Sequence, residues 1–434
     1  MDSVLLLGGG GFALVVALAL IGVPVGAAMG LVGLGGAVWV IGLAGPVSIA
    51  STTIWDSLTN YTIAILPLFI LMGNLASAAG LSSRLYQAMR TLVGHREGGL
   101  ALATIGGCAG FGMVCGSSLA TAATMGRIAI PEMKHAGYPM SLASGTIAAG
   151  GALGILIPPS TILVIYAFLA SQSVKDLMLA TLGPIVLGVS LYALAIFLSI
   201  KMGWETAPKV EKAGRRERVA ALGDIAPTLA IFTAIMGGLY SGAFTANETG
   251  AIGASVVLVY GLVTGRLRWS ELKAVAKETA VTCASLYFIV IGASIYNFFL
   301  TLSGLPFVLT DIFGGLISSP ILLILVMTAA YLFLGAVMDS LAMLLLTVPL
   351  FAPIAQAAGI DLLWFGMYIV LMVEIALITP PVGMNLFVIK ACHPEIRTQD
   401  LWRGVVPFVA ADVVRLAILV AVPLVVTWLP QQAH

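Results

Sequence analysis

The sequence predicts an all-α polytopic membrane protein of two inverted repeats, each with a re-entrant helical hairpin and a transmembrane helix broken at Pro-Pro. Three observations predict it. The 434 residues are 60% hydrophobic and 9% charged, against about 25% charged in soluble domains, and the mean hydropathy is +1.09. The stretch "GILIPPSTI" at 154–162 returns as "ALITPPVGM" at 376–384. Lysine and arginine concentrate in a subset of the loops. A net charge of +1 provides no basic field for nucleic acid, so the expected surroundings are a lipid bilayer.

The elements follow in order. Met1–Val4 carries Asp2 rather than lysine or arginine before the first apolar run, which argues against a cleaved signal peptide. Leu5–Ile21 is therefore expected as a retained first span. Apolar stretches near the ~20 residues a span requires fall at 4–22, 26–44, 61–80, 139–170, 177–200, 224–243, 250–265, 276–302, 361–391 and 405–429. Residues 98–131 and 319–353 are apolar but interrupted by small and polar residues, as re-entrant hairpins are. The expected organisation is N-terminal scaffold spans over 1–60, then a first repeat over 61–203 with its broken helix at 139–170. A cytoplasmic loop at 204–222 and further scaffold spans at 223–275 precede the second repeat, 276–430, whose broken helix is 361–391.

Basic residues orient the chain. The longest polar loop holds Lys201, Lys209, Lys212, Arg215, Arg216 and Arg218 and is expected in the cytoplasm. Counting spans from it places Arg84, Arg90 and Arg96 inside, with Arg266, Arg268, Lys273 and Lys277, and puts the N-terminus outside in the periplasm. The parity works only if each hairpin enters and leaves on one side.

A constant shift of 222 residues carries Pro131 onto Pro353, Gly137 onto Gly359, Pro158-Pro159 onto Pro380-Pro381 and "CGSS" (115–118) onto "VMDS" (337–340). Asn74 matches Asn297, and Asp176…Pro184 matches Asp400…Pro407, after small slippages. The first hairpin is expected to open from the cytoplasm and the second from outside, so the halves are inverted, as in alternating-access transporters. An interior proline costs roughly 3 kcal/mol in a helix, and hydrocarbon has no water to repair the ladder; such a break is tolerated where its carbonyls face protein or a polar cavity. Small cations bind such oxygens. Two inverted breaks, each facing a hairpin tip, are expected to make two cation sites flanking a substrate pocket.

Candidate ligands follow from that geometry. Around the first break they are Gly116, Ser117, Ser118, Ile157, Pro158 and Ser160; around the second, Asp339, Ser340, Thr379, Pro380 and Gly383. Ser117, Ser118 and Ser340 either cap the returning half-helix or offer hydroxyls to ion or substrate. Asp339 at membrane depth costs roughly 3 kcal/mol and needs a cation or a donor. Asn74, Asn297, Asn385 and the three serines are the candidate substrate contacts; for the asparagines a packing role stands beside that reading.

The segments "PLFILMGNLA", "GSS.AT…G…IPEMK", "LGILIPPS" and "E.ALITPPVGMNLFV" resemble the large membrane subunit, DctM type, of the tripartite ATP-independent periplasmic (TRAP) transporters, through about residues 3–430. The resemblance implies an elevator-type fold and Na+-driven uptake of an organic anion, commonly a carboxylate such as a dicarboxylate or sialic acid, across the bacterial inner membrane. It also implies a periplasmic substrate-binding protein and a small four-helix membrane subunit, expected here as a separate chain. A binding-protein-independent dicarboxylate/Na+ symporter of the same plan is the alternative.

The remaining polar residues have plainer expectations. Asp412 and Arg415, three apart, neutralise each other on one helix face. Glu374 makes a buried hydrogen bond or couples to an ion. Arg127 pairs with Glu132, snorkels or attracts an anion, and Glu248 either caps a scaffold helix or contacts a partner. The four cysteines are expected as buried small hydrophobes. His95, His135, His393 and His434 sit in loops or at the end, without "HExxH", and no "GxxxxGK[ST]" is present. An intramembrane enzyme or an ATP-driven pump fits poorly, and a passive channel would show no strict Na+ coupling.

Overall fold

The computed structural model describes residues 5–313, 319–336 and 338–432. Met1–Val4 with Asp2, residues 314–318, Val337 of the "VMDS" match, and His434 lie outside the described residues. Every regular element among the described residues is helical, because hydrocarbon forces each segment to satisfy its own backbone. Among the described residues six helices are long and apolar enough to cross a membrane, or up to eight if each of two bent pairs is one span.

The scaffold begins with α1 (Gly10–Leu20), α2 (Val25–Ile41) and α3 (Ala44–Thr59). α2 lies along α14 (Trp269–Ser303) on a seam of small residues; a Cβ on Gly33 would sit 2.7 Å from the Tyr296 Cα. Such seams let helices approach closely where no hydrophobic drive joins them. α12 (Arg215–Tyr240) and α13 (Ala246–Val263) follow later in the chain and pack against each other.

The first repeat runs α4 (Ile65–Ala78), α5 (Leu81–Val93), the hairpin α6 (Gly99–Cys115) and α7 (Ser118–His135), then the broken helix α8 (Met140–Leu156) and α9 (Thr161–Ala170). α10 (Val174–Ala180) and α11 (Leu182–Lys201) close it. The second repeat matches: α14, α15 (Leu305–Ile312), hairpin α16 (Pro320–Gly335) and α17 (Ser340–Ala357), broken helix α18 (Leu362–Ile378) and α19 (Met384–Cys392), then α20 (Thr398–Ala421) and α21 (Leu424–Gln432). The packing repeats as well. α9 lies on α17 and α19 lies on α7, so each far half-helix packs against the other copy's returning hairpin arm. The pairs α4–α14, α8–α18 and α11–α20 each join an element to its own counterpart.

The two hairpins enter from opposite ends. At one end, Arg90 pairs with Glu132 at 3.1 Å, Lys209 with Glu97 at 4.0 Å and Arg84 with Asp224 at 3.7 Å, which gathers both ends of the first hairpin among the basic loops. At the other, the base of the second hairpin (Pro353, Gln356) shares a cavity of about 980 Å³ with Gln172, Asp311 and Leu362.

Several local expectations change. Residues 81–93, read as loop, form α5, whose Leu81, Leu85, Tyr86 and Ala88 are buried while Arg90 stays outside; the pair α4–α5 bends by 60°. The loop at 266–277 is largely the first turns of α14, and the loop at 204–222 ends early because α12 starts at Arg215. α3 had no signal at span length: its serines and threonines dilute the hydropathy, and Val47, Ile54, Trp55 and Leu58 are exposed. The last span breaks at Val422-Pro423, between α20 and α21. Glu132 pairs with Arg90, not Arg127, because the α5 arm lies beside the hairpin. Of the cysteines only Cys108 is buried; the others are half-exposed. His135 ends α7 rather than lying in a loop.

Candidate functional site

Each repeat brings its helical break to its hairpin. In the first copy Ile157 leaves α8 in extended conformation (φ −74°, ψ 124°), and Ser160, fully buried, restarts α9 by accepting the Leu163 N–H at 3.4 Å. Pro158 and Pro159 lie between them, and all four residues are buried. The hairpin tip presses on this break. Gly116 takes φ 61°, and any Cβ there would drive into the Pro159 carbonyl. Only glycine tolerates both demands. The Gly116 carbonyl accepts from Thr161 Oγ1 at 3.4 Å. One turn earlier a Cβ on Gly112 would lie 3.0 Å from the Gly154 Cα.

Ser117 is the N-cap of α7 and accepts the Ala120 N–H at 3.4 Å. Ser118, buried, donates instead to Asn385 Oδ1 at 2.8 Å. Thr121 adds a residue that sequence reasoning missed: its fully buried hydroxyl has no hydrogen-bond partner among the protein's oxygens and nitrogens. Its signal was its position, one turn beyond the tip, which only matters once the tip faces the break.

In the second copy Thr379 leaves α18 with nearly the same angles (φ −82°, ψ 124°). Its Oγ1 donates to the Ile375 carbonyl at 2.6 Å. The break is one residue longer, and Gly383 (φ 33°, ψ 91°) starts α19 from a conformation L side chains avoid. Here Pro380 is half-buried and Pro381 exposed. Asp339 caps α17: its Oδ1 accepts from Leu341 and Ala342 N–H at 2.9 and 3.0 Å. A carboxylate at a helix N-terminus also meets the positive end of the dipole. Ser340, half-buried, is the first residue of α17.

The structure thus brings Gly116, Ser117, Ser118, Ile157, Pro158, Ser160 and Asn385 into one neighbourhood. It leaves the other asparagines elsewhere. Asn74 donates to Thr279 Oγ1 at 3.0 Å between α4 and α14, and Asn297 lines the large cavity with Thr301, Asp311 and Gln356. The first copy's donor set is neutral oxygen, which a hard monovalent cation accepts; among the described residues no cluster of His, Cys, Asp and Glu has the form of a transition-metal site.

A separate buried ion cluster stands behind α18. Arg415 contacts Glu374 and also Asp412 at 2.9 Å, and Tyr192 donates to Asp412 Oδ2 at 2.7 Å. Arg415 therefore has a second partner that helix periodicity alone did not predict, since Glu374 comes from α18. Glu248 does cap: its carboxylate accepts the Thr245 N–H at 2.7 Å.

A family model described as "Tripartite ATP-independent periplasmic transporter, DctM component" matches residues 12–425. The sialic acid TRAP transporter large permease protein SiaM of Vibrio cholerae is 33% identical over 89% of this chain and 90% of its own. The C4-dicarboxylate TRAP transporter large permease protein DctM of Pseudomonas aeruginosa is 34% identical over 89% of this chain and 90% of its own. The isethionate TRAP transporter permease protein DctMQ of Oleidesulfovibrio alaskensis is 30% identical over 94% of this chain and 63% of its own. Among solved structures the YdaH transporter of Alcanivorax borkumensis superposes with a TM-score of 0.65 at 16% identity, over 89% of this chain and 90% of that one, a likeness of fold alone.

Proposed function

The chain belongs to the DctM component family of the tripartite ATP-independent periplasmic transporters, and from that premise we propose that it imports an organic anion by Na+ symport. It is a multi-pass membrane permease, not an enzyme. The observation that carries the proposal is the pair of inverted helical breaks, each set at its own hairpin. In the first copy the break and the tip are in direct contact through Gly116 and Pro159.

The residues present fit Na+. Around the first break Gly116, Ser117, Ser118, Ile157, Pro158 and Ser160 supply neutral oxygens, with the buried Thr121 hydroxyl beside them. Around the second, Asp339, Ser340, Thr379, Pro380 and Gly383 would hold the ion. Asp339 Oδ1 is committed to capping, so a carboxylate already turned toward a helix end stands close to where the ion would sit. Na+, when bound, would supply positive charge to balance an anionic solute, and its gradient across the membrane would supply the driving force. The relatives named for sialic acid, C4-dicarboxylates and 2,3-diketo-L-gulonate support a small carboxylate as cargo. Of the candidate substrate amides, Asn297 lines a polar cavity, whereas Asn74 is engaged by Thr279.

The motion proposed is an elevator: hairpins and broken helices travel as one body against the scaffold of α1, α2, α3, α12 and α13. The proposed setting is the bacterial inner membrane with a periplasmic N-terminus, a small membrane subunit as partner, and a periplasmic binding protein that delivers the solute. Reconstitution in proteoliposomes with a small subunit and candidate binding proteins tests this. Uptake should require both the binding protein and an inward Na+ gradient. Uptake that survives collapse of that gradient ends the symport reading, and Na+-driven uptake without any binding protein selects the simpler dicarboxylate symporter.

A further inference from the structure

We propose that Asn385 is a positioning residue that turns the Ser118 oxygen into a pure acceptor for Na+ at the first break; this rests on the cation reading above. Ala148 presents its backbone carbonyl in the interior of α8. A carbonyl only accepts, so the Asn385 atom facing it at 2.9 Å is the amide nitrogen, Nδ2. The side-chain oxygen is thereby aimed the other way, at Ser118. That oxygen has no proton to give, so Ser118 Oγ must donate across the 2.8 Å contact. A hydroxyl has one proton and two lone pairs. With the proton committed to Asn385, the Ser118 oxygen can offer neighbours only lone pairs.

The whole chain of bonds is buried: Asn385 is 0% exposed and Ser118 is 3% exposed. Water therefore cannot reorient the hydroxyl. The orientation matters because a serine proton pointing at a cation repels it, whereas a lone pair ligates it. Ser118 stands at the tip where Gly116 meets the first break, next to Ser117 and one turn from the buried Thr121 hydroxyl, which faces the Cys115 thiol.

The device has no twin. Because the second break is one residue longer, Asn385 corresponds by helix position to Ile162, an apolar residue. Asn385 also belongs to α19, the half-helix that follows the second break, so a side chain of repeat two sets the hydroxyl of repeat one. Displacement of α19 would release the Ser118 proton, which links the state of the second break to ion affinity at the first.

The test needs no identified substrate. The full chain in lipid nanodiscs is titrated with NaCl against choline chloride at constant ionic strength, and the rise in Tm is fitted to RT ln(1 + [Na+]/Kd), the fitted Kd being the midpoint compared between variants. Asn385→Leu, close in shape but without the bonds, should raise that midpoint about tenfold, the scale of one lost hydrogen bond. Ser118→Ala should raise it at least as much, Ser118→Thr should keep the wild-type midpoint, and Asn385→Leu should add nothing in the Ser118→Ala background. Asn385→Ala gives a second reading if the leucine variant is not monodisperse. Additive shifts, or a lowered Na+-free Tm with an unchanged midpoint, overturn the proposal and leave the cation reading standing. A wild-type chain whose Tm ignores Na+ overturns both.

Discussion

The two repeats share a plan and differ in enclosure. In the first, the hairpin arm α6 is rich in glycine and alanine, and the break at 157–160 is wholly buried beneath the tip. In the second, α16 is built from leucine, isoleucine and phenylalanine, of which Ile321, Leu325 and Phe333 are more than half exposed, and Pro381 is exposed. Small side chains let backbones meet; bulky ones hold them apart and offer their outer faces to lipid. The first copy is thus a sealed joint and the second a looser one, with a cavity of about 980 Å³ beside its returning arm. Inverted symmetry supplied the scheme, and side-chain volume broke it.

The largest effect should come where the copies differ in charge. Pro184 and Pro407 align Tyr192 of α11 with Arg415 of α20, and only the second copy buries an ion pair there. Arg415→Leu strands Glu374 and Asp412, both 0% exposed, and should cost roughly 3–5 kcal/mol. Tyr192→Phe removes one hydrogen bond to a charged group and should cost about 1.5–3 kcal/mol. Thermal unfolding in detergent ranks them; equal losses would mean that the cluster is not ion-dominated.

Glycine comes next. Gly116 and Gly359 both hold positive φ, at 61° and 73°, but nothing lies within 4 Å of a Cβ on Gly359. Gly359→Ala should cost roughly 1–2 kcal/mol from left-handed strain alone. Gly116→Ala carries that strain plus collision with the Pro159 carbonyl, so its Tm should fall further. Comparable Tm values for the two would show that the first joint is not tight.

The hydroxyls at the breaks separate stability from ion binding. Ser160→Ala removes a buried N-cap and should cost about 1 kcal/mol. Thr379→Ala frees a half-buried Ile375 contact and should change stability by less than about 0.5 kcal/mol. On the proposed function, Thr379→Ala and Ser117→Ala weaken Na+ activation of uptake more than they lower Tm; unchanged Na+ dependence in both would remove these residues from the ion sites. The smallest effect belongs to Arg90–Glu132, an ion pair about 42% exposed on each side. Arg90→Gln should cost less than ~1 kcal/mol and vanish in high salt; a large, salt-independent loss would mean the arm α5 clamps the first hairpin more firmly than its exposure implies.

Much was legible because it is local. Proline placement, apolar run length and the 222-residue echo identified both breaks and both hairpins without coordinates, and Glu248 at the third position after Thr245 announced its cap. α5 was missed because its apolar face, Leu81, Leu85 and Ala88, is interleaved with arginines and reads as a polar loop at span resolution. Thr121 and the Glu374–Arg415 contact were missed for a different reason: neither has a local signature.

By itself the sequence determined the membrane environment, the helical content, the duplication and the residues at each break, since hydropathy, backbone propensity and proline chemistry act over a few neighbouring positions. Tertiary structure alone decided which copy is sealed, that Asn385 reaches Ser118 across 267 positions of chain, and that Arg415 answers to Glu374 as well as Asp412. Those outcomes depend on side-chain volumes meeting between distant segments, and such meetings exist only once the helices have packed.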